Sequence, residues 1–496
     1  MQHANKILSC FTIDKSPILG ELVLAGEETK LRLSSRTNIP YDPEPHTLFG
    51  ESLDHNKISL YDCVGHSPVP EGVYPNPVFK REIFPHFALI GTKHFARDEQ
   101  AFKTISFKTD DLGLLFSRRG TFGSAWLDPK KLAEVLSPTL SVRNIALGES
   151  PAIFYFTGRK SFNPIKLHIA TFSTDINFTG SVSDTTGISC PAETTATLTY
   201  EDPKTLDQII NDVTSILEFV ATITGRHQGV RDLTATTSVA THDPDSPAID
   251  RVSVHWSFAP KSLETSPGNH RDFPVTPDVS EEEFNNVFSS WMQKHDDWVT
   301  ARSRILRWQK HGHNYDENRL IAAANAFDIL PDSIYPEVGR LSDETLFKRN
   351  RCKEIIMELK HGNERNQILG TLDFWGSKLG DKLLCRSKIV KNNFNEQFPN
   401  LDEVLKIALK ARNFYVHGTD YGHKHYNDLL VFLTDTLEFV FVASDLIECG
   451  WDASRWAKQE PSLGHPMAHF FYSYKTDVGR FNVAKAEAAN DYTVKR

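Results

Sequence analysis

At 496 residues the chain exceeds what one hydrophobic core organises, and two or more domains are expected. Its apolar, charged and aromatic contents of 40%, 24% and 11% are those of an ordinary globular protein and exclude a low-complexity chain. A formal charge of −9 excludes a protein that coats nucleic acid non-specifically, so any such contact has to be local.

Up to about residue 200 the pattern is that of strands separated by turns. Alternation of apolar and polar residues appears at Lys30–Leu33, Lys57–Tyr61 and Lys166–Ala170. Phe87–Ile90 and Ile153–Phe156 read as fully buried strands, and the prolines between Pro68 and Pro85 favour loops and edge strands. Asp128–Leu136 is expected as a short helix, with Pro129 in its first turn. A stronger helix is expected between Pro203 and Gly225, because Leu206, Ile209, Ile210, Val213, Ile216, Leu217 and Val220 form one apolar stripe. Arg251–Trp256 returns to strand alternation, and the Pro-, Ser- and Gly-rich stretch Ala259–Val279 reads as a linker.

Beyond it the period becomes helical. Ser280 and Glu283 form a capping-box pattern that opens a helix through Phe284, Val287, Phe288 and Trp291. Further helices are expected near Glu317–Leu330, Asp343–His361, Asp373–Leu384, Leu401–Val416 and Asn427–Cys449. The fold class is therefore α+β, a β-rich N-terminal domain (residues 1–275) followed by an all-α domain (280–455) and a less regular tail (456–496). The most apolar helix, Leu429–Ile447, is interrupted by Asp435, Glu438 and Asp445, so it is read as buried rather than membrane-spanning. The start Met1–Lys6 lacks a signal-peptide pattern, and the six scattered cysteines form no C-x-x-C, so a reduced, cytoplasmic protein is expected.

From Ser280 onward there are 29 Lys+Arg and 31 Asp+Glu, a net of −2, which leaves −7 for the first 279 residues. Within the second half Lys348–Lys391 is locally basic, with Lys382, Arg386 and Lys391 among its cations. A solvated helix face is the plain reading of that run; a track for a phosphate backbone is the sharper one.

One segment carries chemistry. In the helix that starts near Leu401, Leu405 and Ala408 lie on the apolar stripe and Arg412 continues it at i+4. A cation there is expensive unless paired or aimed into a cleft. Asn413 and His417 share a face beside it, and Gly418 ends the helix. Histidine titrates near neutrality and can move the proton of a ribose 2′-hydroxyl. Arginine holds phosphate oxygens and stabilises the charge that builds there. The pair therefore suits RNA cleavage without a metal. Spacing alone does not single it out, since Arg81 and His86 share it and Arg307 and His313 come close. Pro85 and the strand-rich surroundings argue against a helix at the first of these. His417, His423 and His425 lack a cysteine pair or other evident fourth ligand, so no metal or other cofactor is expected. Phosphate-loop, serine-hydrolase and zincin motifs are absent.

Arg412-Asn413 followed by aromatics and His417 resembles the HEPN domain, whose R-x(4–6)-H motif forms a metal-independent ribonuclease site. The segment Asn318–Asp328 is similar to the early HEPN helix, and Asp328 is the acid that the resemblance aims at the motif. Tyr415 is the candidate for stacking on substrate bases, alongside Tyr421. The segments from His46 to Tyr61, and Phe102–Phe107 followed by Leu112, resemble the start of the ApeA-type N-terminal domain. The resemblance implies an abortive-infection (anti-phage) effector, an endoribonuclease with RNA, possible tRNA, as substrate. It also implies a homodimer that joins two Arg–His sets, and a phage-derived trigger sensed by the N-terminal domain. A non-catalytic HEPN module that binds RNA or protein is the alternative.

Overall fold

A computed structural model gives the structure. It describes residues 5–72, 76–143, 146–158, 162–178, 181–183, 187–189, 191–238, 250–263, 268–312, 314–335, 341–373, 378–419 and 422–494. The chain divides into two units. The first is Met1–Val220, Gln228–Glu264 and Thr276–Glu282; the second is Ala221–His227, Thr265–Val275 and Glu283–Arg496. The main crossing at Glu282/Glu283 lies just beyond the boundary expected between 275 and 280.

In the first unit β1 (Asn5–Ile13), β2 (Ser16–Leu24), β3 (Lys30–Ser35), β4 (His46–Ser52) and β5 (Lys57–Gly65) form antiparallel pairs. After the short β6 (Val69–Glu71), β7 (Val78–Phe84) pairs with β3 on one side and with the end of β5 on the other. The order β5-β4-β1-β2-β3-β7 thereby closes into a barrel. Alternate side chains point inward, so Phe11, Leu22, Leu31, Leu33, Ile58, Leu60 and Ile83 fill its core.

From β5 the sheet continues outward through β8 (Phe87–Gly91) to β9 (Phe102–Thr109), joined by two later strands. Next in the chain come α1 (Leu112–Leu115), β10 (Phe122–Trp126), α2 (Pro129–Arg143) and β11 (Ala152–Phe156). Strands β10 and β11 form their own two-stranded sheet, in which Phe154 is 65% exposed; Ile153–Phe156 is thus a surface strand and not a buried one. The alternation at Lys166–Ala170 yields only the two-residue β12 (Ile165–Lys166), because the chain turns straight back into β13 (Thr171–Phe178). After β14 (Ser181–Ser183) and β15 (Gly187–Ser189), β16 (Ala192–Lys204) runs through Pro203 before α3 (Leu206–Thr224) begins. Thr205 and Gln208 cap α3 reciprocally, and its whole predicted stripe is buried. Strands β17 (Val230–Thr236) and β18 (Arg251–Trp256) complete the sheet.

The second unit is helical: α4 (Glu281–Gln293), α5 (His295–Leu306), α6 (Glu317–Ile329), α7 (Asp343–Met357), α8 (Asn363–Asp373), α9 (Leu379–Phe394), α10 (Leu401–His417), α11 (Leu430–Glu448), α12 (Ala453–Lys458) and α13 (Pro466–Val494). Helix α11 is central, packing on α6, α9, α10 and α13. The helix expected at Asp373–Leu384 is instead the end of α8 and the start of α9.

Two further expectations change. The stretch 259–279 is not simply a solvated linker. Phe273 and Val275 are buried, and the indole N–H groups of Trp451 and Trp456 donate to the carbonyls of Pro274 and Asp272. The tail expected at 456–496 is not irregular over its described residues, which end at 494. Met467, Phe470, Tyr474, Val478 and Phe481 form a helical stripe that is buried along α13.

Candidate functional site

Helices α6 and α10 pack directly against each other in the second unit. Leu401, Val404, Leu405, Ala408 and Ala411 form the buried stripe of α10, which sets that helix's rotation. Helix α6 meets it with an alanine-rich stretch in which Ala323, Ala324 and Ala326 are buried. Small side chains let the two backbones approach, so a long side chain at the end of the α10 stripe reaches across to α6.

Arg412 is that side chain, and it is half-buried. Its Nε and Nη2 both donate to Asn325 Oδ1, at 3.2 and 2.9 Å. Its Nη1 donates to Asn413 Oδ1 at 3.1 Å. The same Nη1 lies 3.5 Å from His417 Nε2, at the long end of hydrogen-bonding range. Five residues of helix separate Arg412 from His417 by about 7.5 Å along the axis, and the extended arginine spans that gap.

A guanidinium only donates. The contact is a hydrogen bond only in the tautomer that carries a lone pair on Nε2. His417 is exposed, in the last turn of α10. Gly418 follows in the left-handed region at φ 71° and donates its N–H to Phe414 O at 2.7 Å, closing the helix. The site is thus a helix end where a fixed cation and a histidine ring lie side by side at the surface.

The structure brings Arg412, Asn413 and His417 together and leaves Asp328 out. Asp328 is exposed at the end of α6; its carboxylate lies 3.9 Å from Lys382 Nζ, which donates to its backbone carbonyl. The side chain that α6 presents to the motif is Asn325, close to one turn earlier. Its sequence signal was modest: the one polar residue in Ala322–Ala326. Tyr415 is half-buried, and burial, then the Glu317 carboxylate, raises its hydroxyl pKa. Tyr421 and His313 lie outside the described residues. His425 Nδ1 sits 3.9 Å from Glu487, and among the described residues no cluster of histidines, cysteines and acids fits a metal.

The basic run is not one exposed track. Lys382 and Arg386 are buried, Arg386 donating to Ser444 and Glu448, and Lys391 pairs with Asp402. Among the described residues no helix is long and apolar enough to cross a membrane.

A family model described as ApeA N-terminal domain 1 matches residues 11–291, and one described as Apea-like HEPN matches residues 321–455. No curated protein and no solved structure matches the chain. The chain belongs to the ApeA-type HEPN family, which supports an HEPN-type defence effector.

Proposed function

We propose that this ApeA-type HEPN protein is a metal-independent endoribonuclease that acts as an abortive-infection effector. The observation that carries the reading is the Arg412 guanidinium held 3.5 Å from Nε2 of an exposed His417. His417 takes the proton of a ribose 2′-hydroxyl, the 2′-oxygen attacks the adjacent phosphorus, and the bond from phosphorus to the 5′-oxygen breaks. The leaving oxygen takes a proton from an imidazolium, and the products are a 2′,3′-cyclic phosphate and a 5′-hydroxyl. Arg412 stabilises the charge that builds on the phosphate oxygens, and Asn413 steadies the guanidinium. One chain supplies one Arg–His set. In a homodimer the second copy supplies the other, so one histidine serves as base and its counterpart as acid. Tyr415 stacks on a substrate base, and a phage-derived trigger acts through the N-terminal domain.

The test uses the full chain with total RNA and tRNA in a chelator, with and without lysate from infected cells. Wild type is expected to give cyclic-phosphate ends, and Arg412→Ala and His417→Ala to lose about 10²- to 10³-fold of the rate. Equal cleavage by all three, or products with free 3′-hydroxyls, overturns the reading. RNA binding that survives in all three with no cleavage supports the non-catalytic module instead.

A further inference from the structure

We propose that Asn325 is the positioning residue of this site, a neutral clamp that fixes the Arg412 guanidinium without cancelling its charge. The proposal rests on Arg412 being the phosphate-binding group. It adds how that group is kept both ordered and attractive to an anion.

Three other arginines of the same helical unit are held by carboxylates. Arg302 is forked onto Asp445 at 2.9 and 3.0 Å. Arg319, six residues before Asn325 on α6, is forked onto Glu438 at 2.7 and 2.8 Å. Arg386 donates to Glu448 at 2.6 Å. Each is buried, and each meets a carboxylate. Arg412 differs. Its acceptors are the amide oxygens of Asn325 and Asn413 and the ring nitrogen of His417, and among the described residues no carboxylate lies within ion-pairing distance of it.

That difference has a chemical consequence. A carboxylate would hold the guanidinium plane equally well, but it would neutralise the positive charge and compete with phosphate for the same N–H groups. An amide oxygen holds the plane by dipole alone. Asn325 Oδ1 receives Nε and Nη2 together, so it occupies the side edge of the guanidinium. Nη1 faces Asn413 and His417, so among the described residues one of the five N–H groups, on Nη2, stays free, and this is what a phosphate oxygen takes first.

The test combines one readout that needs no activity with one that does. Arginine Nε–H exchange is followed by NMR in the full chain, the Arg412 signal being assigned by its loss in Arg412→Ala. Asn325→Ala is expected to speed that exchange about tenfold or more, while the near-isosteric Asn325→Asp keeps it slow. Unchanged exchange in Asn325→Ala overturns the clamp, whatever the enzyme does.

In the cleavage assay Asn325→Ala is expected to lower kcat about 10- to 10²-fold with KM within about threefold. Asn325→Asp is expected to raise KM instead. It also moves the lower limb of the pH profile upward, because a new carboxylate favours the His417 imidazolium. A purely structural role for Asn325 moves neither KM nor that limb. Wild-type KM and pH profile in Asn325→Asp overturn the claim of neutrality. Equal cleavage by wild type, Arg412→Ala and His417→Ala sinks the ribonuclease reading separately, and the exchange measurement still decides the clamp.

Discussion

The helix that presents Asn325 is anchored by a cluster whose protonation can be tested directly. Asp435 on α11 accepts the Tyr315 hydroxyl at 2.5 Å, while Arg319 on α6 is forked onto Glu438 and lies over the Tyr315 ring. Burial, with Glu438 and Asp477 adding like charge, raises the Asp435 pKa to about 7; the Tyr315 hydrogen bond and Arg319 pull the other way. In the unfolded chain the group returns to about 3.9. Between about pH 4 and pH 7 the folded chain therefore holds a proton that the unfolded chain has lost. Stability from this group is fully present below about pH 4 and falls as pH rises to about 7. Each decade is worth about 1.4 kcal/mol, so the ceiling is about 4 kcal/mol. Partial exposure of the side chain roughly halves it, to about 2 kcal/mol. Asp435→Asn keeps the acceptor oxygen and removes the ionisation. Thermal melts of the full chain at pH 8 are expected to rise by about 4–8 °C, with a change of about 1 °C or less at pH 4.5. An equal gain at both pH values, or a loss at both, refutes the reasoning, because neither follows from a carboxyl that ionises near neutrality.

Asp445→Ala strips a forked partner from Arg302, which is 2% exposed, and should cost about 3–5 kcal/mol in urea unfolding of the helical unit. Gly418→Ala forces a side chain into the left-handed region and should cost about 1 kcal/mol; by loosening the last turn under His417 it should lower cleavage more than it lowers the melting temperature. Asp328→Ala should leave cleavage within about twofold of wild type, since its exposed carboxylate lies beside Lys382; a loss comparable to that of His417→Ala would return Asp328 to the site.

Much of the helical unit was legible because its apolar positions recur at helical spacing. Helices α6 and α10 begin where the apolar spacing puts them and end within a residue of it. Helix α13 was legible in the same way, through Met467, Phe470, Tyr474, Val478 and Phe481, but the polar residues between them gave the impression of a tail. The barrel was harder to read. Its closure depends on Val64 and Gly65 meeting Phe84 and Ile83, a two-residue pairing with no local signature. Buried cations were misread for a related reason. Composition treats Lys382 and Arg386 as solvated, and only the fold shows the carbonyl, hydroxyl and carboxylate that hold them. Asn325 is not legible from charge, because the chain uses an amide where an acid is expected on α6.

The same lesson applies to the spacing of arginine and histidine. Arg81 and His86 are five residues apart, as Arg412 and His417 are. Arg81 lies in β7, its guanidinium on Pro40 O, while His86 beyond the strand's end accepts from Trp256. Extended chain puts five residues about 17 Å apart, whereas a helix puts them about 7.5 Å apart. A spacing thus becomes a distance only once the backbone is assigned. Even then the distance does not make a site. Arg319 sits on an equally regular helix and is bound by its carboxylate to the core. What separates Arg412 is the acceptor it meets, and that acceptor comes from another helix, 87 residues earlier in the chain.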